Sequence, residues 1–426
     1  MNASFEKIVQ YIKTHCEADD YSLHIMGGDN HETRFAQNRI TQHLAGPDLD
    51  ITLNVAFDNK TGSASVNQDD PHTLDHLIKT AQDIARLNQP DPEYIGTAPA
   101  AQLPQVDNCD PATKNLDPKQ MVEYVNQVIQ RAKTMDARVS GMTEKHHYER
   151  LLFTKGGFLG YDASTSFGHS MTLKKGESET KVSFAAKSYA GFDPQREFDR
   201  LQDQLESLVN QQSMDAEKIA VILRPSALGE LLRYMAWMMN RRQSDEGFTP
   251  YTGQMGKLFF GENFSLYSTL KNPDITASSF SSEGIPSQEI TWIENGVIHN
   301  MPSNRYWAQK QGHEPKEYFN FYIPGGNTSE EEMMKMVPRG LIINRFWYIR
   351  PVDMKVGELT GMTRDGVLYF EDGKVKHAIN NLRFNEIPYQ ATRRILALGP
   401  NEAVSPSTSI PSLLIDGFNF VDKTSF

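Results

Sequence analysis

Ala220-Val-Ile-Leu-Arg-Pro-Ser-Ala-Leu-Gly-Glu-Leu-Leu-Arg-Tyr-Met-Ala-Trp-Met238 is the stretch on which the reading of this chain turns. Ile219 to Leu223 is an unbroken apolar run of the kind that fills a strand buried on both faces. Arg224-Pro225 stops it, and Pro225 suits the first position of a helix, where its missing N–H costs nothing. Apolar side chains at helical spacing then predict a helix over 225–240.

Outward from that helix, the C-terminal half reads as short strands and turns. Glu294-Asn295-Gly296 and Glu371-Asp372-Gly373 sit between alternating apolar runs, the strongest local hairpin signal. Ser405 to Ser412 reads as a polar loop before a last strand, Leu413 to Ile415. A β-rich, barrel-like C-terminal domain is expected over 215–426, carrying the 225–240 helix.

Toward the N-terminus, Phe5, Ile8, Val9 and Ile12 fall at helical spacing, and Tyr21 to Met26 and Ile51 to Phe57 read as strands. A helix follows from about Thr73 to Leu87, then a Pro/Asp/Asn-rich linker or surface excursion over about 89–117. Asp117 as N-cap and Pro118 at N1 open a further helix to about Lys133. Strands are expected at Arg138 to Met142, Leu151 to Thr154, Phe158 to Asp162 and Lys181 to Ala186, and a helix over 198–209. Helix, strands, helix thus occurs twice, a hint of internal duplication. The expected fold class is α+β: an α/β-type domain over 1–214, with helices packed on a mixed sheet, followed by the β-rich domain.

At 426 residues the chain is long enough for two cores. Its formal charge of -11 repels phosphate backbones, so nucleic acid is not an expected partner. Two cysteines, Cys16 and Cys109, make no disulfide framework and no metal knuckle. MNASFEKIVQYIKTH lacks the apolar stretch of a signal peptide, and no run approaches the roughly 20 apolar residues of a membrane span. A cytoplasmic location without membrane partners is expected.

Short motifs carry little. His72 and His76 share a helix face without the Glu of a zinc-peptidase motif, and His146 and His147 point to opposite faces of a strand. Gly156-Gly157-x-x-Gly160 lies between strands, which suits a hairpin turn and not a dinucleotide loop. Gly256-Lys257 lacks the rest of a P-loop. Ser268, Lys271, Tyr124, Asn126 and Lys60-Thr61-Gly62 match acyl-serine motifs only in the wrong order.

The 220–238 stretch resembles the strand-to-helix segment of the TldD/PmbA family. Arg34-Phe35-Ala36-Gln37-Asn38-Arg39-Ile40, Thr360 to Gly366 with Phe370 to Lys374, and Pro411 to Gly417 resemble that family's other landmarks, in the same order. In the catalytic branch, the resemblance implies, this helix carries two His and a Glu in an HExxxH motif, and a late Cys completes a zinc site. Here Arg233 stands at the first His position, Tyr234 at the Glu position and Met238 at the second, and no Cys follows Cys109. Arg is a permanent cation, Tyr a weak base at neutral pH and Met a poor zinc ligand.

The resemblance is thus to the PmbA branch, also called TldE. It implies a non-catalytic subunit, with no catalytic residue, metal or cofactor of its own. The implied partner is a TldD-like HExxxH zinc peptidase in a heterodimer, or a second copy in a homodimer, degrading or trimming unfolded peptide. Leu231, Leu232, Met235, Trp237, Met238 and Met239 read as space-filling core. Tyr234, Arg345 and Trp347 in the aromatic-basic run Asn344 to Arg350, and Arg364 beside Asp365 in an expected turn, are candidates for a peptide groove. The alternatives are a metal-independent enzyme of another reaction class in the same cavity, and the DNA-associated modulator that the family's "modulator of gyrase" label suggests.

Overall fold

The computed structural model describes residues 2–176, 178–208 and 211–424. The first part contains α1 (Ala3–His15), β1 (Asp20–Ala36), β2 (Arg39–Phe57), β3 (Lys60–Val66), α2 (Pro71–Leu87), α3 (Pro111–Lys114), α4 (Pro118–Thr134), β4 (Arg138–Thr154), β5 (Leu159–Lys175), β6 (Ser178–Ala186) and α5 (Pro194–Ser207). Its six strands lie in the order β3-β2-β1-β4-β5-β6. Each pairing is antiparallel, which corrects the expected mixed sheet. The cause is local: Gln37-Asn38 and Asp58-Asn59 take positive φ at both central positions, so β1–β2 and β2–β3 close as two-residue hairpins. Helix, three strands, helix occurs twice, with β1 beside β4 at the centre.

Four helices cover one face. Phe5, Ile8 and Ile12 of α1 and Leu74, Leu77 and Ala81 of α2 pack on Leu23, Ile25, Ile51 and Leu53. Val125 and Ile129 of α4 and Phe198 and Leu201 of α5 pack on Phe35, Val139, Met171 and Leu173. The strands run 17, 19, 17 and 17 residues for β1, β2, β4 and β5, longer than expected, and the two segments 138–142 and 151–154 are one strand. The apolar alternation marks only the parts beneath helices. The end of α5 expected at residue 209 lies outside the described residues.

The excursion over 89–117 is tied down by polar contacts. Asp20 accepts from the Tyr94 hydroxyl at 2.8 Å and from the Thr97 backbone N–H at 2.7 Å. Arg305 donates to the Gly96 carbonyl at 2.9 Å. Buried Asn108 accepts from the Ala277 N–H at 2.8 Å and donates to the same residue's carbonyl, stitching the first part of the chain to the second.

The second part contains β7 (Lys218–Leu223), α6 (Pro225–Met238), α7 (Arg241–Asp245), β8 (Leu266–Ser268), β9 (Ile290–Glu294), β10 (Val297–Ile298), α8 (Arg305–Gln311), β11 (Phe321–Tyr322), α9 (Glu330–Met336), β12 (Arg339–Asp353), β13 (Glu358–Glu371), β14 (Lys374–Ile379), β15 (Leu382–Glu386), α10 (Pro388–Thr392), β16 (Ile395–Ser405) and β17 (Thr408–Lys423). The order β17-β15-β13-β12-β7 is closed by a β17–β7 pairing, so these five strands form a hydrogen-bonded circuit. β7 pairs parallel with β12 and antiparallel with β17. Their apolar side chains, with Leu228, Leu231, Leu232, Met235 and Met238 of α6, form the larger core.

Helix α6 ends two residues before the expected limit, because Asn240 caps α7 instead. Asn295-Gly296 and Asp372-Gly373 make hairpin turns with positive φ at both residues. The expected loop over 405–412 is mostly the start of β17, whose Pro411 sits where register shifts interrupt the β16–β17 ladder. Among the described residues no helix is long and apolar enough to cross a membrane.

Replacing Asn108 by Ala strips both polar groups of Ala277 of their partner in a buried place, and should cost about 3 kcal/mol. Urea unfolding of Asn108→Ala beside the parent measures it; a change under about 0.5 kcal/mol would show that the stitch does not matter.

Candidate functional site

Helix α6 leaves β7 directly, and its start is held by Arg224, which donates to both carboxylate oxygens of Glu330 at 2.9 Å. Its inner face is core. Its outer face presents Ser226, Glu230, Arg233 and Trp237, spaced four, three and four apart. Trp237 is 55% exposed, which corrects its expected role as core filler. Arg233 is exposed, its guanidinium 5.9 Å from the Tyr234 ring. The Tyr234 hydroxyl donates to the Ile349 carbonyl at 2.7 Å, tethering helix to strand. Met238 is buried at 1% exposure.

A polar cavity of about 420 Å³ lies between this outer face and strands β6, β12, β13 and β16. Lys181, Arg200, Glu230, Arg233, Arg345, Asp365 and Glu402 supply its charges. Arg345 donates through Nε to Asp365 at 2.6 Å, while its Nη1 stands 4.0 Å from Glu230. A β-bulge arranges this: Arg345 pairs with Arg364 and Ile343 with Val367, leaving Asn344 against Asp365-Gly366. Both extra residues have positive φ, 62° and 98°. The bulge turns the Asp365 carboxylate toward Arg345, a common use of bulges near sites.

Burial pushes the Glu230 carboxyl up to about 7, and the Asp365 charge adds to the push. Arg345, the Phe346 backbone N–H and Arg233 oppose it. One Glu230 oxygen is buried without a hydrogen-bond partner. A carboxyl in that range, beside a fixed guanidinium, can hold or release a proton near neutrality.

Across Asp365 lies a second cavity of about 200 Å³, lined by Trp347, Arg364 and Gln211. The Arg364 guanidinium lies 4.4 Å from the Trp347 ring centroid. The structure therefore brings Arg345, Trp347 and Arg364 to two cavities that share Asp365, and leaves Tyr234 lining neither. Arg364 and Asp365 stand within β13, not in the expected turn. Glu230 escaped the sequence reading because a lone Glu on a helix looks like surface; Asp365-Gly366 inside an alternating strand is a bulge signal that could have been used. Ser268 is buried and donates to the Asn320 carbonyl at 2.6 Å, a structural tie.

Residues 216–422 match the PmbA/TldA metallopeptidase C-terminal domain, which places that part of the chain with the TldD/PmbA family. A curated relative, Metalloprotease PmbA of Escherichia coli O157:H7, is 22% identical over 413 residues, spanning 90% of this chain and 87% of that protein. The fold is shared with crystal structures. TldE from Thermococcus kodakarensis has TM-score 0.88 at 18% identity, covering 98% of this chain and 100% of that one. A candidate modulator of a DNA gyrase from Thermotoga maritima has TM-score 0.84 at 17% identity, covering 98% and 99%.

The raised Glu230 carboxyl has a definite sign. The folded state holds its proton more tightly than the unfolded chain, so its contribution to stability is complete below the ordinary carboxylate range and is lost as pH rises toward about 7. Glu230→Gln should therefore gain on the parent between pH 5 and pH 8, by on the order of 2 kcal/mol. Paired urea titrations at the two pH values check this; an equal offset at both would mean that Glu230 is not perturbed.

Proposed function

We propose that this chain is the non-catalytic, TldE/PmbA-like subunit of a TldD/TldE-type metallopeptidase complex that degrades or trims unfolded peptides. The observation that carries the reading is the state of the three positions on α6 aligned with the family's HExxxH motif. Met238 is turned into the core, Tyr234 spends its hydroxyl on a backbone carbonyl, and Arg233 is a permanent cation. These side chains do not fit a zinc ion. No cysteine follows Cys109 in the sequence. The metal and the hydrolytic water would then belong to a TldD-like partner, in a heterodimer formed in the cytoplasm.

In that assembly the domain over 1–214 and the domain over 215–426 enclose the paired cavities around Asp365. Arg345, Trp347 and Arg364 hold extended peptide there through its carbonyls and side-chain faces. A second reading, a metal-independent reaction in the same cavity, draws support from Glu230, whose carboxyl titrates near neutrality beside Arg345.

The purified chain alone should not cleave unfolded peptide in a chelator-sensitive way. Adding a homologue with an intact HExxxH should give hydrolysis that a chelator abolishes. Trp347→Ala or Arg345→Ala should lower kcat/KM of the pair about tenfold or more without releasing the partner. Chelator-sensitive cleavage by the lone chain would overturn the subunit reading. Chelator-resistant turnover lost in Glu230→Gln would replace it with the second.

A further inference from the structure

We propose that Glu32, Glu144 and His146 form a binding site for a divalent first-row metal ion on the helix-free face of the first sheet, where the ion would clamp β1 to β4. Among the described residues this is the only group of three His, Cys, Asp or Glu side chains whose ligand atoms all lie close together, within 4.8 Å of one another. The site is unrelated to α6.

Register builds it. Glu32 stands directly opposite Glu144, and Asn30 opposite His146, on adjacent central strands. Alternation puts all four on the face away from the helices. Two carboxylates directly opposed across a strand pair repel and destabilise it, and a cation held between them would offset the charge. Arg34 reaches Glu32 at 3.3 Å but is 53% exposed, a weak offset in water. Glu144 has no Lys or Arg ion pair among the described residues; its partner is His146 Nε2 at 3.5 Å.

The imidazole carries the argument further. Asn30 gives its amide N–H to Asp48, which fixes the amide so that its oxygen faces His146 Nδ1 at 2.8 Å. Nδ1 therefore carries a proton, and in the neutral ring Nε2 presents its lone pair to the Glu144 carboxylate. Two acceptors face each other there, with a third from Glu32 beside them. A histidine whose far nitrogen donates to a fixed oxygen while its near nitrogen joins carboxylates is the arrangement of a ligating imidazole with its supporting shell. Tyr148 stacks on the ring at 5.1 Å and keeps its plane. Gly168, opposite Glu144 on β5, completes the space: a Cβ there would stand 2.7 Å from the Glu144 carboxylate.

One imidazole and two carboxylates favour zinc or manganese over calcium or magnesium. Ligand atoms on a tetrahedral zinc are about 3.4 Å apart, so a modest rotation of the two glutamates closes the site. A fourth position would be left to water or to a ligand's oxygen.

Calorimetric titration of Zn²⁺ into the metal-free full chain should show one site, and Co²⁺ should give a visible absorption band. Glu144→Gln should weaken Zn²⁺ at least tenfold, His146→Ala should abolish the band, and Asn30→Ala should weaken Zn²⁺ about tenfold at unchanged stoichiometry. Melting in the presence and absence of Zn²⁺ keeps the test open to variants of altered stability: Zn²⁺ should raise Tm of the parent and not that of Glu32→Gln or Glu144→Gln. Failure of the parent to bind, or binding indifferent to His146→Ala and Glu144→Gln, overturns the proposal, the latter as adventitious binding elsewhere.

Discussion

The double pairing of β7 governs the second half of the molecule. Five consecutive side chains, Ile219 to Leu223, are buried, and the strand's polar backbone is satisfied by β12 on one side and β17 on the other. A strand buried on both faces and paired at both edges cannot slip, because a one-residue shift would break two ladders at once. The Arg224 backbone N–H extends the pairing to the Ile343 carbonyl, and the Arg224–Glu330 fork fixes the chain as it turns into α6. The helix is thereby fixed over the cavity, and the choice of residues on its outer face decides what chemistry the cavity offers.

Where the two sheets meet, the bulge at Asp365-Gly366 makes the junction. The Asp365 carbonyl accepts from Asn344 at 3.2 Å and from Thr180 of the first sheet at 3.4 Å. Its carboxylate orients Arg345. One strained residue thus joins the sheets, separates the two cavities and sets the charge beside Glu230. Burial of Glu230 with a hydrogen-bond-deficient oxygen destabilises the ionised protein, and such a cost fits a site better than a scaffold.

The apolar register made much of this legible. Val221 and Leu223, the helical spacing after Pro225, the Asp117-Pro118 cap and the Asn295-Gly296 and Asp372-Gly373 turns were all readable, because each is a local rule that the tertiary structure obeys. The outer halves of β1, β2 and β4 were not. Between Gly27 and Asp50 most side chains are polar or exposed on both faces, so no alternation announces a strand. Trp237 misled because a large aromatic in an apolar helix usually turns inward. Glu230 and the Glu32–Glu144–His146 group depend on cross-strand register and long-range packing, which one sequence read along its length does not display. Family resemblance pointed to α6 and to Arg233, Tyr234 and Met238; the structure shows Tyr234 bound to the Ile349 carbonyl and Met238 in the core.

Helix α6 aims Arg233, Trp237 and Glu230 outward, and the proposed function assigns it to shaping a chamber whose metal a partner supplies. Purification of the tagged chain from its own cell extract, followed by native mass measurement and metal analysis, tests this most directly. The account predicts a stoichiometric second chain, homologous to this one and carrying an intact HExxxH, with the hydrolytic zinc assigned to that chain. A complex containing only copies of this chain, able to cleave peptide, would contradict it.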